Sequence, residues 1–171
     1  VAKEKLGDLN IIAEDLGTID EPVRKLLKKT GFPGMKVLQF AFDSRETSDY
    51  LPHGYPANSV CYTGTHDNFT MAQWFRETAP EDIAFAKAYL GLNDEEGCVW
   101  GMIRGCMSSV SRLCIIQMQD YLTLGQESRM NFPGTMSSDN WSWRAKPGFA
   151  SDALAERIAA LTERYGRAPA K

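Results

Sequence analysis

Histidine is scarce in this sequence: His53 and His66 are the only two among 171 residues, and neither sits in a His-x-His or His-Glu-x-x-His arrangement. A protein-held transition metal leans on imidazoles at such spacings, so no metal site is expected. An excess of basic charge is also missing, because 19 Lys and Arg stand against 22 Asp and Glu for a net charge of -3. That balance excludes a basic surface for nucleic acid or anionic lipid and points to a neutral, locally recognised ligand. No apolar run reaches the length of a bilayer span and no signal-like opening is present, although the chain starts at Val1 rather than Met, so targeting is not read from it. No Gly-x-Gly-x-x-Gly follows an apolar run, which sets a dinucleotide-binding open sheet well behind. The four cysteines, at 61, 98, 106 and 114, match neither a zinc-ligand pair nor a disulfide framework. They read as small buried apolar residues of a reducing compartment.

What is present is ordinary for a globular core: 43% hydrophobic and 24% charged residues, enough for one domain or part of one. The most informative stretch is 10–17, Asn-Ile-Ile-Ala-Glu-Asp-Leu-Gly. A short apolar run of this kind suits a strand buried on both faces in a parallel sheet, with Gly17 supplying the turn. Glu14 and Asp15 then fall just past the strand's C-terminal end, the rim where α/β folds assemble their chemistry. They read equally well as solvated loop acids or caps.

Further along, Asp20 stands as N-cap to a helix with Pro22 just inside it and Val23, Leu26 and Leu27 at helical spacing, stopped at Gly31. A second strand is expected over 35–42, followed by a long surface loop over 43–57 at the same rim as Glu14. Residues 59–63 form the third strand, and Gly64-Thr65-His66-Asp67-Asn68 leads into a helix near Phe69 that Asp67 or Asn68 is typed to cap. Helices follow from Pro80 to a stop at Gly91 and over about 94–110. In the second of these Val99, Met102, Ile103, Cys106, Met107 and Val110 form one apolar stripe, read as core packing. The fourth strand spans 113–118, and an amphipathic helix capped by Ser151 or Asp152 closes the chain.

Strands joined by long crossovers pair in parallel. Four of them make half of an eight-stranded barrel, and an open sheet of that kind leaves edges and an interior face uncovered. Residues 121–150 lack periodicity but hold Trp141, Trp143, Phe132, Arg129 and Asn131. Aromatics beside amides and guanidinium groups suit a sugar-binding surface, or else a closing loop whose aromatics are buried.

Four ordered motifs carry a specific resemblance: Ile11-Ile12-Ala13-Glu14-Asp15-Leu16-Gly17, then residues 33–43 from Pro33-Gly34-Met35 to Phe42-Asp43, then Tyr62-Thr63-Gly64-Thr65-His66-Asp67-Asn68, then Arg129-Met130-Asn131-Phe132-Pro133-Gly134-Thr135. In this the chain resembles the 4-alpha-glucanotransferases, also called amylomaltases or disproportionating enzymes, from the fifth barrel strand onward. The resemblance implies an α/β fold, the C-terminal half of a (β/α)8 TIM barrel with strands 5 to 8, so that residues 1–171 form a partial catalytic domain lacking its N-terminal half. It implies a retaining transfer of alpha-1,4-glucan segments between maltooligosaccharides or starch through a covalent glycosyl-enzyme, with no cofactor. Glu14 takes the acid/base role and Asp67 that of transition-state stabiliser. His66, Asp15, Asp43, Asn68 and Asn131 fall on substrate-contacting positions. The expected partners are the glucan, the acceptor sugars and the missing half of the barrel, with neither nucleic acid nor membrane. The cytoplasm is the expected location, and a plastid is compatible.

One departure limits the expectation. The family's nucleophile is an Asp in an Arg-x-Asp motif, which occurs nowhere in these 171 residues. A retaining mechanism needs nucleophile and acid/base about 5 Å apart, so the chain alone is expected to be inactive. The alternatives are a hydrolase of the same clan, with water as acceptor, and a non-catalytic glucan-binding fragment.

Overall fold

Three short parallel strands order the fold of this computed structural model, which describes residues 4, 5, 7, 9–17 and 19–169. They are β1 (Gly34–Val37), β2 (Ser59–Tyr62) and β3 (Leu113–Ile115), side by side in chain order. In register, Lys36, Cys61 and Cys114 form one row and Val37, Tyr62 and Ile115 the next. The result is a mixed α/β unit with a small parallel sheet.

The strand expected over 10–13 shrinks to a single parallel bridge between Ala13 and Gly34, with the Ala13 N–H donating to the Pro33 carbonyl at 2.9 Å. The segment lies at the sheet edge with Ile12 exposed, and among the described residues nothing pairs with its outer side to extend a ladder. The run 35–42 also divides. It leaves the strand at Val37 and turns through a 3-10 helix over Leu38–Phe40, burying Leu38, Ala41 and Phe42 in the helix layer. β3 likewise stops at Ile115, short of the expected 118, and a brief helix begins at Met118.

Helix α1 (Glu21–Thr30) forms as its caps dictate: Asp20 Oδ1 accepts from the Val23 N–H at 3.1 Å, and Gly31 closes it at φ 69°. None of its side chains is buried, so its apolar stripe faces outward. Next come α2 (Met71–Glu77), α3 (Pro80–Leu90), α4 (Cys98–Met107), the short α5 (Met118–Tyr121) and α6 (Asp152–Arg164), the last capped by the Ser151 hydroxyl. α4 is shorter than its apolar stripe. Val99, Met102, Ile103, Cys106 and Met107 are buried as expected, whereas Val110 lies beyond the helix and is exposed.

The core forms where α2, α3, α4 and α6 meet the sheet, with Phe42 packed edge-on against Trp74, Phe85 and Tyr89 at centroid distances of 6.1, 5.8 and 6.0 Å. Gly101 and Gly105 let α4 approach the preceding turn. A Cβ on them would stand 2.5 Å from Leu92 Cδ2 and 2.9 Å from Leu90 Cδ2. Cys61 and Cys114 are register neighbours, and Cys106 of α4 joins them in the core cluster; all four cysteines are free thiols.

The loop 43–57 is largely exposed, as expected of a surface segment, but it is anchored at several points. Its Leu51, Pro52 and Tyr55 are buried, the Ser44 N–H donates to Asp82 Oδ1 on α3 at 2.8 Å, and the Ala57 carbonyl accepts from the Arg112 N–H at 2.9 Å. It is a packed crossover from the end of β1 to the start of β2.

Candidate active site

Strand β2 hands over to a loop, 63–70, that is pinned at both ends by one buried carboxylate. Asp120, fully buried on α5, accepts the Thr63 hydroxyl at 2.5 Å and the Met71 N–H at 2.7 Å. Burial pushes this carboxyl up to about 6, and the two hydrogen bonds only partly offset the shift. Within the loop, Asn68 Oδ1 accepts from both the Thr65 N–H (2.8 Å) and the Thr65 hydroxyl (2.9 Å). Asn68 therefore builds the turn, and the N-cap of α2 is Thr70, neither Asp67 nor Asn68.

His66 and Asp67 stand at the tip, both about half exposed, with His66 Nε2 3.4 Å from Asp67 Oδ1. A second segment grips the pair from behind. The Asn131 side chain donates to Asp67 Oδ1 at 2.6 Å, and its backbone N–H donates to the His66 carbonyl at 3.1 Å. Arg129 donates from Nη2 to the Asp67 carbonyl at 2.6 Å and from Nε to the Asn131 carbonyl at 2.8 Å. Beyond them the Trp141 ring lies on His66, centroids 4.9 Å apart. Trp141 has φ 65° and donates its N–H to the Met130 carbonyl at 2.7 Å.

Asp67, His66 and Asn68 line a cleft of about 600 Å³ together with Glu14. Phe40, Tyr62, Ile115 and Gln117 also line it. Two carboxylates and an imidazole beside apolar side chains suit a pyranose, whose C–H faces prefer apolar contact while its hydroxyls need acceptors and donors.

Asp15 and Asp43 are not among the residues lining this cleft. Asp15 Oδ1 accepts the Met35 N–H at 2.6 Å, and its carboxyl packs so tightly on Gly34 that a Cβ there would sit 2.5 Å from Oδ2. Asp43 is held by Arg45 through Nε at 2.8 Å and Nη2 at 2.6 Å, and those bonds hold its carboxyl down to about 2. Asn131 touches the site through Asp67. Gln117 is the residue that pattern reading missed, and Arg129, read as part of a sugar-binding surface, instead grips main chain. Gln117 fell inside an expected strand, and no spacing tells which backbone carbonyls a guanidinium will find. Among the described residues no group of three or more His, Cys, Asp or Glu is placed to hold a metal ion, and no helix is long and apolar enough to cross a membrane.

Acids and a histidine gathered beyond the strand ends of a parallel α/β layer occupy the rim where such folds carry their functional sites. The chain belongs to the 4-alpha-glucanotransferase family, whose sequence model matches residues 1–150. It is 52% identical over 168 residues to the 4-alpha-glucanotransferase of Clostridium butyricum, covering 98% of this chain and 34% of that protein. It is 44% identical over 168 residues to that of Thermus thermophilus, covering 94% and 33%. Its fold superposes on the amylomaltase from Streptococcus agalactiae, solved in complex with acarbose, with a TM-score of 0.91 at 40% identity over 96% of this chain and 33% of that one. The chain thus spans about a third of the length of the relatives it matches.

Proposed function

We propose that this chain supplies the acid/base side of a retaining 4-alpha-glucanotransferase site and is the C-terminal half of its (β/α)8 barrel. The observation that carries the reading is the shared cleft: Glu14 and Asp67, far apart in sequence, face one sugar-sized space with His66 beside them. Glu14 protonates the glycosidic oxygen as it leaves, while an Asp from the remainder of the barrel attacks the anomeric carbon and forms the glycosyl-enzyme. Glu14, now ionised, takes the proton from the 4-hydroxyl of an acceptor glucan as that oxygen displaces the enzyme. Asp67 binds hydroxyls of the same sugar and binds them more strongly as the ring flattens toward the oxocarbenium ion. His66 shares those hydroxyls, and Trp141 backs its ring. Asn131 orients Asp67, and Asn68 shapes the loop that presents it. Asp15, bonded to the Met35 N–H, aligns the Glu14 segment on β1. Asp43, paired with Arg45, is assigned no contact. The reaction uses no cofactor, and the compartment is cytoplasmic or plastidic.

The test is a chimera in which this chain replaces the matched 168 residues of the Clostridium butyricum relative. Fed maltotriose, the chimera is expected to give a ladder of longer glucans. Glucose and maltose alone mean hydrolysis, the second reading, and acarbose binding without turnover means a binding fragment. Glu14→Gln and Asp67→Asn are each expected to lower kcat by about 10²–10⁴-fold. The 171-residue chain by itself is expected to turn over nothing, and a ladder from that chain alone overturns the division of labour.

A further inference from the structure

We infer that Arg129 is a positioning residue for Asp67, acting as a two-pronged clamp whose geometry, rather than its charge, sets where the Asp67 carboxylate stands. This rests on the reading of Asp67 given above. The guanidinium binds main chain and leaves the Asp67 carboxylate to Asn131 and His66: Nη2 goes to the Asp67 carbonyl at 2.6 Å and Nε to the Asn131 carbonyl at 2.8 Å. One planar fork thus ties the segment that carries Asp67 to the segment that carries Asn131, which in turn donates to the carboxylate of Asp67. The fork's own freedom is removed by two rings. Its central carbon lies 5.0 Å from the Phe69 centroid and 4.7 Å from that of Phe132. Each ring belongs to one of the joined segments, so stacking and hydrogen bonding fix the same relative position.

A lysine keeps the charge but is a point donor on a flexible stem, with neither a planar fork to bridge two carbonyls nor a flat face to fill the space between two rings. Lys at 129 is therefore expected to behave like Ala. If Arg129 acted only through its positive charge near Asp67, Lys would restore function.

The chain provides its own probe, because its two histidines report on different places. His66 lies on the Trp141 ring and 3.4 Å from Asp67, whereas His53 Nδ1 is 2.8 Å from the Tyr89 hydroxyl, outside the residues that line the cleft. Histidine ring resonances of the 171-residue chain are recorded by NMR for wild type, Arg129→Lys, Arg129→Ala and Phe132→Leu. Both Arg129 variants are expected to move the His66 ring resonances while leaving those of His53 in place. Phe132→Leu, which removes one ring and leaves the charge, is expected to move His66 partway.

In the chimera, Arg129→Lys is expected to lower kcat at least tenfold with KM within about twofold, the signature of an interaction made in the transition state. Wild-type His66 resonances, or wild-type kcat, in Arg129→Lys overturn the inference. Should the Arg129 variants also lose the His53 signal through unfolding, Phe132→Leu decides: an unmoved His66 overturns the clamp. Asp67→Asn separates the two levels, since full activity in that variant removes the proposed function, while the His66 shifts still judge the clamp.

Discussion

Gly64 stands where β2 gives way to the loop bearing His66 and Asp67, and two carboxamides close over its α-carbon. A Cβ there would run into Gln39 Nε2, with Gln117 Nε2 at 3.1 Å and Asn68 Cβ at 3.2 Å. Two of these do not yield cheaply. Gln39 is buried and its Nε2 donates to the Phe69 carbonyl at 2.6 Å, and Asn68 holds Thr65 by two bonds. Gly64→Ala is therefore expected to cost about 1–3 kcal/mol in urea denaturation, the usual scale for overpacking. It should also displace the loop, read as loss of acarbose binding by the chimera. An alanine variant with wild-type stability and binding would mean that the carboxamides relax. At this scale the sequence was partly legible. Glu14, His66 and Asp67 could be named because their motifs are contiguous, and they do share one cleft. That Asp15 is held by the Met35 N–H and does not line the cleft was not legible, because this partner lies 20 positions away and nothing in the Glu-Asp pair says which acid will be captured by a backbone donor.

Elements show the same division between local and distant causes. Helix starts were legible where a side chain three positions away satisfies the first turn, as Asp20 does for Val23 and Ser151 for Leu154. Strand ends were not, since they depend on neighbours elsewhere in the chain. The clearest case is α5, which interrupts the run 113–118 and carries Asp120 to a buried position bridging Thr63 and Met71. Its carboxyl is raised from 3.8 to about 6, chiefly by burial. A carboxyl raised on folding favours the native state fully below its unfolded value, and that contribution disappears as pH climbs through the folded value. Wild type should thus lose stability relative to Asp120→Asn between about pH 4 and pH 7, by about 2 kcal/mol. Urea denaturation of both proteins at the two pH values checks this, because the other titrating groups cancel in the difference. A difference that stays constant, or one that grows in favour of wild type with rising pH, rejects this account of Asp120.

Taken whole, the molecule leaves part of one sheet face open. The helix layer buries Cys61 and its neighbours, and on the opposite face Val37 and Val60 are buried as well, but at the β3 edge Leu113 and Ile115 are 46% and 45% exposed, and Phe40 at the cleft is 43% exposed. Apolar side chains grouped in this way mark a surface that meets another part of a structure. In the barrel reading this side is the interior, and the matched relatives, about three times as long, have the chain to fill it. Fragment complementation puts that to the test. The 171-residue chain is mixed with the part of the Clostridium butyricum relative that precedes the matched region, and transfer from maltotriose is followed. Activity is expected from the mixture and from neither piece alone. The variant Leu113→Lys should leave the chain's own melting within a few degrees of wild type, because that side chain is already about half in water and lies outside the cleft lining. Placing an ammonium group where a dry interior must form should cut the recovered activity at least tenfold, since burying an unpaired charge costs far more than the lost apolar contact gains. If the lysine variant complements as well as wild type, this face of the sheet is not the barrel interior, and the shared cleft would have to work with Glu14 and Asp67 opening onto a surface that no second half completes.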